Sequence, residues 1–237
     1  MVKMGKLKYG IAVFVLFCAS YASGQVSNDF GVWISGSYDQ DIVKDIGFKV
    51  KQEFRLDENA TRLKKSYTTM SVGFEYIDWV HFQLNYRFIL NQRSNGLFGH
   101  RHRVMGDVIL RPLNGRFSLR NRVRFQSEIR TINYSEKYGF APATDIRNTI
   151  KASYRINRKY RPYAYVDLRF LVRDARTPYH TGFDRHRLRA GVDITLARKR
   201  VLDLYVMTSR QWNVNEPSQL FVLGTSFSFG GSGRMFD

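Results

Sequence analysis

A chain of 237 residues with 43% apolar and 15% aromatic side chains can bury a sizeable core, and its five Pro and 18 Gly exclude disorder and collagen-like repeats. A mean hydropathy of −0.36 excludes a bundle of membrane-spanning helices, each of which needs about 20 apolar residues in a row. The 38 Lys and Arg against 20 Asp and Glu, a net charge of +18, raise nucleic acid as a partner, a reading that export would remove.

The first segment is an address. Lys3, Lys6 and Lys8 precede the apolar run Ile11 to Ala19, and Ala22-Ser23-Gly24 offers small residues to a signal peptidase. Residues 1–24 are therefore expected to be a secretory signal peptide cleaved before Gln25. Phe17 is too bulky a neighbour for Cys18 to be a lipidation site. Cleavage takes the only Cys, so the exported chain cannot be held by a disulfide.

Residues 25–44 hold Phe30, Val32, Trp33, Ile34 and Tyr38, a weak strand pattern interrupted by Ser35, Gly36 and Ser37. From residue 45 to 230 the alternation becomes strict. In Trp79 to Asn91, Val80, Phe82, Leu84, Tyr86, Phe88 and Leu90 share one parity, while His81, Gln83, Asn85 and Arg87 share the other. On a helix the apolar set would scatter round the wheel; on a strand it forms one face. Ten such segments follow residue 44, among them those centred on Val50, Val72, Val108, Val123, Ile150, Val166, Val192, Leu204 and Leu223. About 11 residues at ~3.3 Å each, tilted by ~45°, rise roughly 25 Å, the height of an outer-membrane apolar band.

Connectors alternate. Ile77-Asp78, Arg111 to Gly115, Asn157 to Lys159 and Arg198-Lys199 are short; Asp57 to Leu63, Asn91 to Phe98, Ile132 to Ala143, Asp174 to Phe183 and Trp212 to Pro217 are longer. The pattern predicts an all-β protein, a transmembrane antiparallel up-and-down barrel of about ten strands in a bacterial outer membrane, inserted by the barrel-assembly machinery. The competing soluble β-sandwich is disfavoured by strand length and by this rhythm. An eleventh strand would put the N-terminus outside the cell, so residues 25–44 are expected to be a cap, a plug or an extra strand in a twelve-strand closure, with residues 231–237 as a tail.

The polar parity would line the lumen. It carries Arg87, Arg101, Arg103, Arg120, Arg122, Arg124, Lys151, Arg155, Arg169, Arg187 and Arg189 among its bases. Glu53, Glu75, Asp107, Glu128, Asp167, Asp193 and Asp203 are among its acids. Facing lipid, each Arg would cost about 2–4 kcal/mol at the midplane. Some bases must pair with the acids, and the surplus implies water or an anion in the same space. The expected function is a narrow anion-favouring pore, or a barrel binding small anionic solutes or lipopolysaccharide phosphates. Acting through its outer loops as a structural or adhesive barrel is an alternative.

No metal-binding spacing, nucleophile elbow or P-loop is present, so neither metal nor cofactor is expected. Folding the hairpin about Pro112 to Gly115 sets His100 opposite Ser127, with Asn148 on the next strand at the same parity. This constellation would suit an outer-membrane lipid hydrolase of phospholipase or lipid A deacylase type. Nucleic acid is excluded by export and by the opposite parities of bases and aromatics.

HRHRVMGDVIL from His100, SLRNRVRFQ from Ser118, IRNTIKASYRIN from Ile146, YRPYAYVDLRF from Tyr160 and RHRLRAGVDITL from Arg185 follow one another in that order, after FGVWISGSY from Phe30. The series resembles an uncharacterised outer-membrane β-barrel family of Gram-negative bacteria, a domain of unknown function. In the Pro162 strand that family tends to carry a Glu where Asp167 stands here. The resemblance implies a barrel and an outer membrane, and supplies no activity.

Overall fold

A computed structural model of the chain describes residues 27–92, 96–130, 142–174, 181–214 and 217–230. The expected signal peptide and the tail at 231–237 lie outside the described residues. Eleven strands follow one another: β1 Ser27–Val43, β2 Ile46–Asp57, β3 Arg62–Ile77, β4 Val80–Gln92, β5 Phe98–Asn114, β6 Phe117–Arg130, β7 Ala143–Tyr154, β8 Tyr160–Arg173, β9 Gly182–Ala197, β10 Arg200–Gln211 and β11 Ser218–Gly230. They close into one barrel in which each strand pairs antiparallel with its sequence neighbour, and β1 pairs parallel with β11.

Within the expected segment 25–44, Ser27–Val43 form a strand of the wall, the extra-strand alternative, rather than a cap or plug. Trp33 faces Arg55 of β2 on one side and Gly224 of β11 on the other. Parity had argued against eleven strands because it presumed an antiparallel seam. The parallel seam removes that condition: β1 and β11 both start at the long-loop mouth, as Ser27 opposite Ser218, and both end at the short-turn mouth, as Asp39 opposite Gly230.

Local chemistry sets the hairpins. Asp45 (φ 46°) and Lys199 (φ 65°) take left-handed conformations in the two-residue turns after β1 and β9, matching the strand twist. Between β2 and β3, Glu58, Asn59 and Ala60 are all left-handed. The Asp29 carboxylate holds them, accepting the backbone N–H groups of Glu58 at 2.9 Å and Asn59 at 3.0 Å. Arg111 to Gly115 is not the turn: β5 runs on to Asn114 past an irregularity between Leu110 and Leu113, and the chain turns at Gly115-Arg116.

The exterior is apolar, with Phe30, Ile34, Met70, Val72, Phe82, Leu84, Val104, Phe125, Leu204, Val206 and Leu223 all exposed. Its polar side chains satisfy one another. Gln52 bonds Ser66 and Thr68 at 2.8 and 2.7 Å, Asn121 and Asn148 exchange amide bonds, and Tyr86 Oη meets His102 Nδ1 at 2.7 Å. Outward charges within the described strands, Arg62, Lys64, Arg200 and Arg210, fall in the first or last three residues.

Large aromatics inside need room, and glycine supplies it. The Tyr205 ring lies across Gly224, where an added Cβ would come 1.9 Å from its Cζ. Tyr163 covers Gly191 in the same way, its Oη 2.7 Å from such a Cβ. Gly224→Ala is expected to displace the ring and cost about 1–3 kcal/mol, read as a lowered urea midpoint of the refolded protein. In a Tyr205→Leu background the same change should cost measurably less, and equal costs would disprove the ring-in-notch packing.

Candidate functional site: a basic lumen divided in two

Among the described residues, two cavities of the barrel interior have no lining residue in common. The one toward the long loops measures about 330 Å³. Its wall is a belt built one residue at a time from successive strands: Trp33, Arg55, Tyr67, Arg87, Arg103, Gln126, Arg147, Arg169, Arg187 and Ser209, with Arg185 and Lys65 above. Each is the inward member of an alternating strand, so the hydrogen-bonded ladder alone stacks the guanidinium groups into a ring.

Some of these charges are matched. Glu53 takes Arg55 Nε at 2.6 Å and Lys51 at 3.0 Å; Glu128 takes both Arg101 and Arg103; Asp167 takes Arg147; Asp184 takes Arg169 in a two-pronged pair. Others lean on neutral groups. Arg87 donates to the Thr69 hydroxyl at 2.8 Å, Arg187 to Ser209 at 3.3 Å, and Arg185 to the Gln211 amide oxygen. Trp33 lies under the Arg55 guanidinium at 3.6 Å and that of Arg187 at 5.7 Å. Three buried donors at this wall, Trp33 Nε1, Arg103 Nε and Arg147 Nε, have no hydrogen-bond partner. A concave ring of cations with spare buried donors is complementary to an oxyanion.

A septum closes the floor of this cavity. On β5, Arg103 lines the upper cavity and Arg111 the lower, with Met105, Asp107 and Ile109 buried between them. On β6, Arg124 and Arg122 occupy the same interval, and on β8 Tyr163, Tyr165 and Asp167 do. Asp107 is bound by Arg124 through both Nε and an Nη, each at 2.6 Å, and by Asn85, which also receives Ser71. Arg189 pairs with Asp203, donates its Nε–H to the Tyr163 hydroxyl at 2.7 Å and stacks 3.3 Å over the Tyr205 ring. Arg122 reaches Thr149 at 3.1 Å.

The second cavity, about 420 Å³, opens at the short turns. Arg120, Lys151, Arg155 and Arg161 bring bases to it, Glu75 and Asp78 bring carboxylates, and His81 stands in its wall. Lys151 and Arg161 share Asp193, at 3.4 and 3.1 Å.

The lumen bases and acids chosen from parity accordingly distribute over three levels. Arg87, Arg103, Arg169 and Arg187 line the upper cavity, where Arg101 joins Arg103 on Glu128. Arg122, Arg124 and Arg189 belong to the septum, and Arg120, Lys151 and the exposed Arg155 to the lower cavity. The hydrolase constellation is not assembled. Ser127 pairs with Val104 rather than His100, because the chain turns at Gly115-Arg116, later than Pro112 to Gly115, which displaces the register by four residues. The four-residue step from Val104 to His100 puts His100 roughly 13 Å along the strand from the partner of Ser127. Ser127 instead meets Thr144 at 3.3 Å, and Asn148 is engaged by Asn121.

Several acids were missed: Asp57 and Asp78, which had been placed in connectors and line the upper and lower cavities, and Asp145 and Asp184. Asp145 has the inward parity and escaped notice at the start of its segment. Asp184 has the outward parity, but a bulge between Arg169 and Phe170 in the β8–β9 ladder turns it inward to Arg169. No simple alternation reveals that residue; the run FDRHRLR, with a lone acid before three bases, was its only trace.

A comparison with curated proteins finds no match to the chain. Residues 30–219, from the first turn of β1 to the start of β11, match the family model described as Protein of unknown function (DUF2490), and the chain belongs to that family.

Proposed function

We propose that the protein is an outer-membrane barrel that binds oxyanions in the cavity beneath its long loops, the phosphates of lipopolysaccharide or of a small solute being the chemistry that fits. The observation carrying this reading is the ring at Arg87, Arg185 and Arg187, whose hydrogen bonds go to neutral groups, beside the unpartnered donors of Trp33, Arg103 and Arg147. The membrane assignment is supported by an apolar exterior whose few polar side chains are mutually bonded, as a hydrocarbon surround demands. The septum favours a binding cup over a free pore, and passage of an anion would need its ion pairs to part.

The test is titration of the refolded protein in detergent with inorganic phosphate, and separately with lipopolysaccharide before and after phosphate removal. Each charge-assisted bond is worth about 1.5–3 kcal/mol, so the Arg185→Gln, Arg187→Gln double variant should bind in the upper cavity at least about tenfold more weakly. Dependence on lipopolysaccharide phosphates with weak inorganic phosphate binding identifies the lipid as source, and the converse a solute. Wild-type affinity in the double variant for both ligands would overturn the reading.

A further inference from the structure

We propose that the short-turn cavity is a second, separate oxyanion site, and that it selects an anion still carrying a proton, such as hydrogen phosphate or the monoanion of a phosphomonoester, over sulfate. Three features of its wall lead there, and none involves the upper cavity.

The first is charge. Arg120 and Arg161 bring permanent cations to a 420 Å³ space open to solvent at the short-turn mouth, which draws in anions. The second is the pair of carboxylates in the same wall, Glu75 and Asp78. Ionised carboxylates only accept hydrogen bonds, so they repel an oxyanion that has no proton and bind the hydroxyl of one that has. The third is His81, whose side chain lies in this wall with the residue only 2% exposed. Both ring nitrogens are buried, and among the described residues the Asp78 backbone is the one hydrogen-bonding neighbour they have, short of full geometry. A neutral imidazole offers one donor and one acceptor, and leaving the acceptor unused and the donor poorly matched in a buried place is costly. A protonated phosphate supplies both counterparts, with an oxygen to accept and an O–H to donate. Sulfate supplies only acceptors.

Asp29 and Asp57 also line the upper cavity, but at its Arg87, Arg185 and Arg187 ring the protein offers donors only, so that ring should take sulfate and phosphate alike. The two sites are thereby separable by ligand as well as by mutation.

Calorimetric titration at pH 7 of the refolded Arg185→Gln, Arg187→Gln protein, whose upper site is weakened, is the decisive measurement. Inorganic phosphate should still bind at one site, and sulfate should bind there at least about tenfold more weakly. Adding His81→Phe, which keeps bulk and removes both polar nitrogens, should abolish that event. Adding Glu75→Gln instead should let sulfate in, narrowing the preference to a few-fold; because Glu75 lies at the mouth, this variant keeps the test sharp if His81→Phe fails to refold. Absence of phosphate binding once the upper site is weakened would overturn the second site and leave the upper one standing. Equal phosphate and sulfate affinities there, or a preference unmoved by Glu75→Gln, would overturn its selectivity.

Discussion

Asp107→Ala should lower the unfolding free energy of the refolded barrel by about 3–5 kcal/mol, among the largest losses expected of any single change. The carboxylate has no exposed surface, and both prongs of the Arg124 guanidinium end on it at 2.6 Å. Arg124 is itself buried, and Arg122 lies on the same strand two residues away. Removing the acid leaves a cation with no counter-charge in a water-poor layer and strips Asn85 of its acceptor. The pair as a whole is worth far less, because desolvating two ions nearly offsets their attraction. Asp107→Leu combined with Arg124→Met should therefore recover most of the loss. Urea titration followed by tryptophan fluorescence measures both variants. A single variant within about 1 kcal/mol of wild type, or a double variant worse than the single, would contradict the septum as described.

Trp33→Ala is expected to cost a similar amount, about 3–5 kcal/mol, the usual loss for emptying a buried aromatic site. Trp33 packs with Tyr163, Tyr205, Met207 and Val222 and lies beneath Arg55. Its backbone belongs to the seam, so the value also measures whether β1 is wall or ornament. A loosely laid segment would surrender a tryptophan for well under 1 kcal/mol. Trp33→Phe, which keeps a stacking surface for Arg55, should retain much of the stability, and loss equal to that of the Ala variant would show that stacking contributes little.

Most of the wall was legible from residue alternation. The segment expected at Trp79 to Asn91 is β4 at Val80–Gln92, and the inward bases and acids follow from parity because a strand offers only two faces. Closure was not legible, for a physical reason. β2 rises and β11 descends, so they too would meet antiparallel if β1 were absent; local pattern fits ten strands as well as eleven. What recruits β1 is its inward chemistry, which no period reveals: Trp33 for the Arg55 and Arg187 guanidiniums, and Asp29 for the left-handed turn at Glu58 and Asn59. The same blindness misplaced Ser127. Parity survives a register displacement of four residues unchanged, so faces were right where neighbours were wrong. Asp184 is the opposite case, a single extra residue that reverses a face.

The parallel seam has a consequence for anyone relabelling or rewiring the molecule. In a barrel with an even number of antiparallel strands the first and last strands finish at one rim, and a few residues suffice to splice them into a circular permutant. Here Ser27 opens at one mouth and Gly230 closes at the other, so a splice must travel the whole height of the wall, through a crowded interior or across its apolar flank. If the barrel spans a membrane as proposed, peptide tags fused before Ser27 and after Gly230 would report from opposite compartments, which makes a pair of end labels a direct reading of orientation in a sealed vesicle.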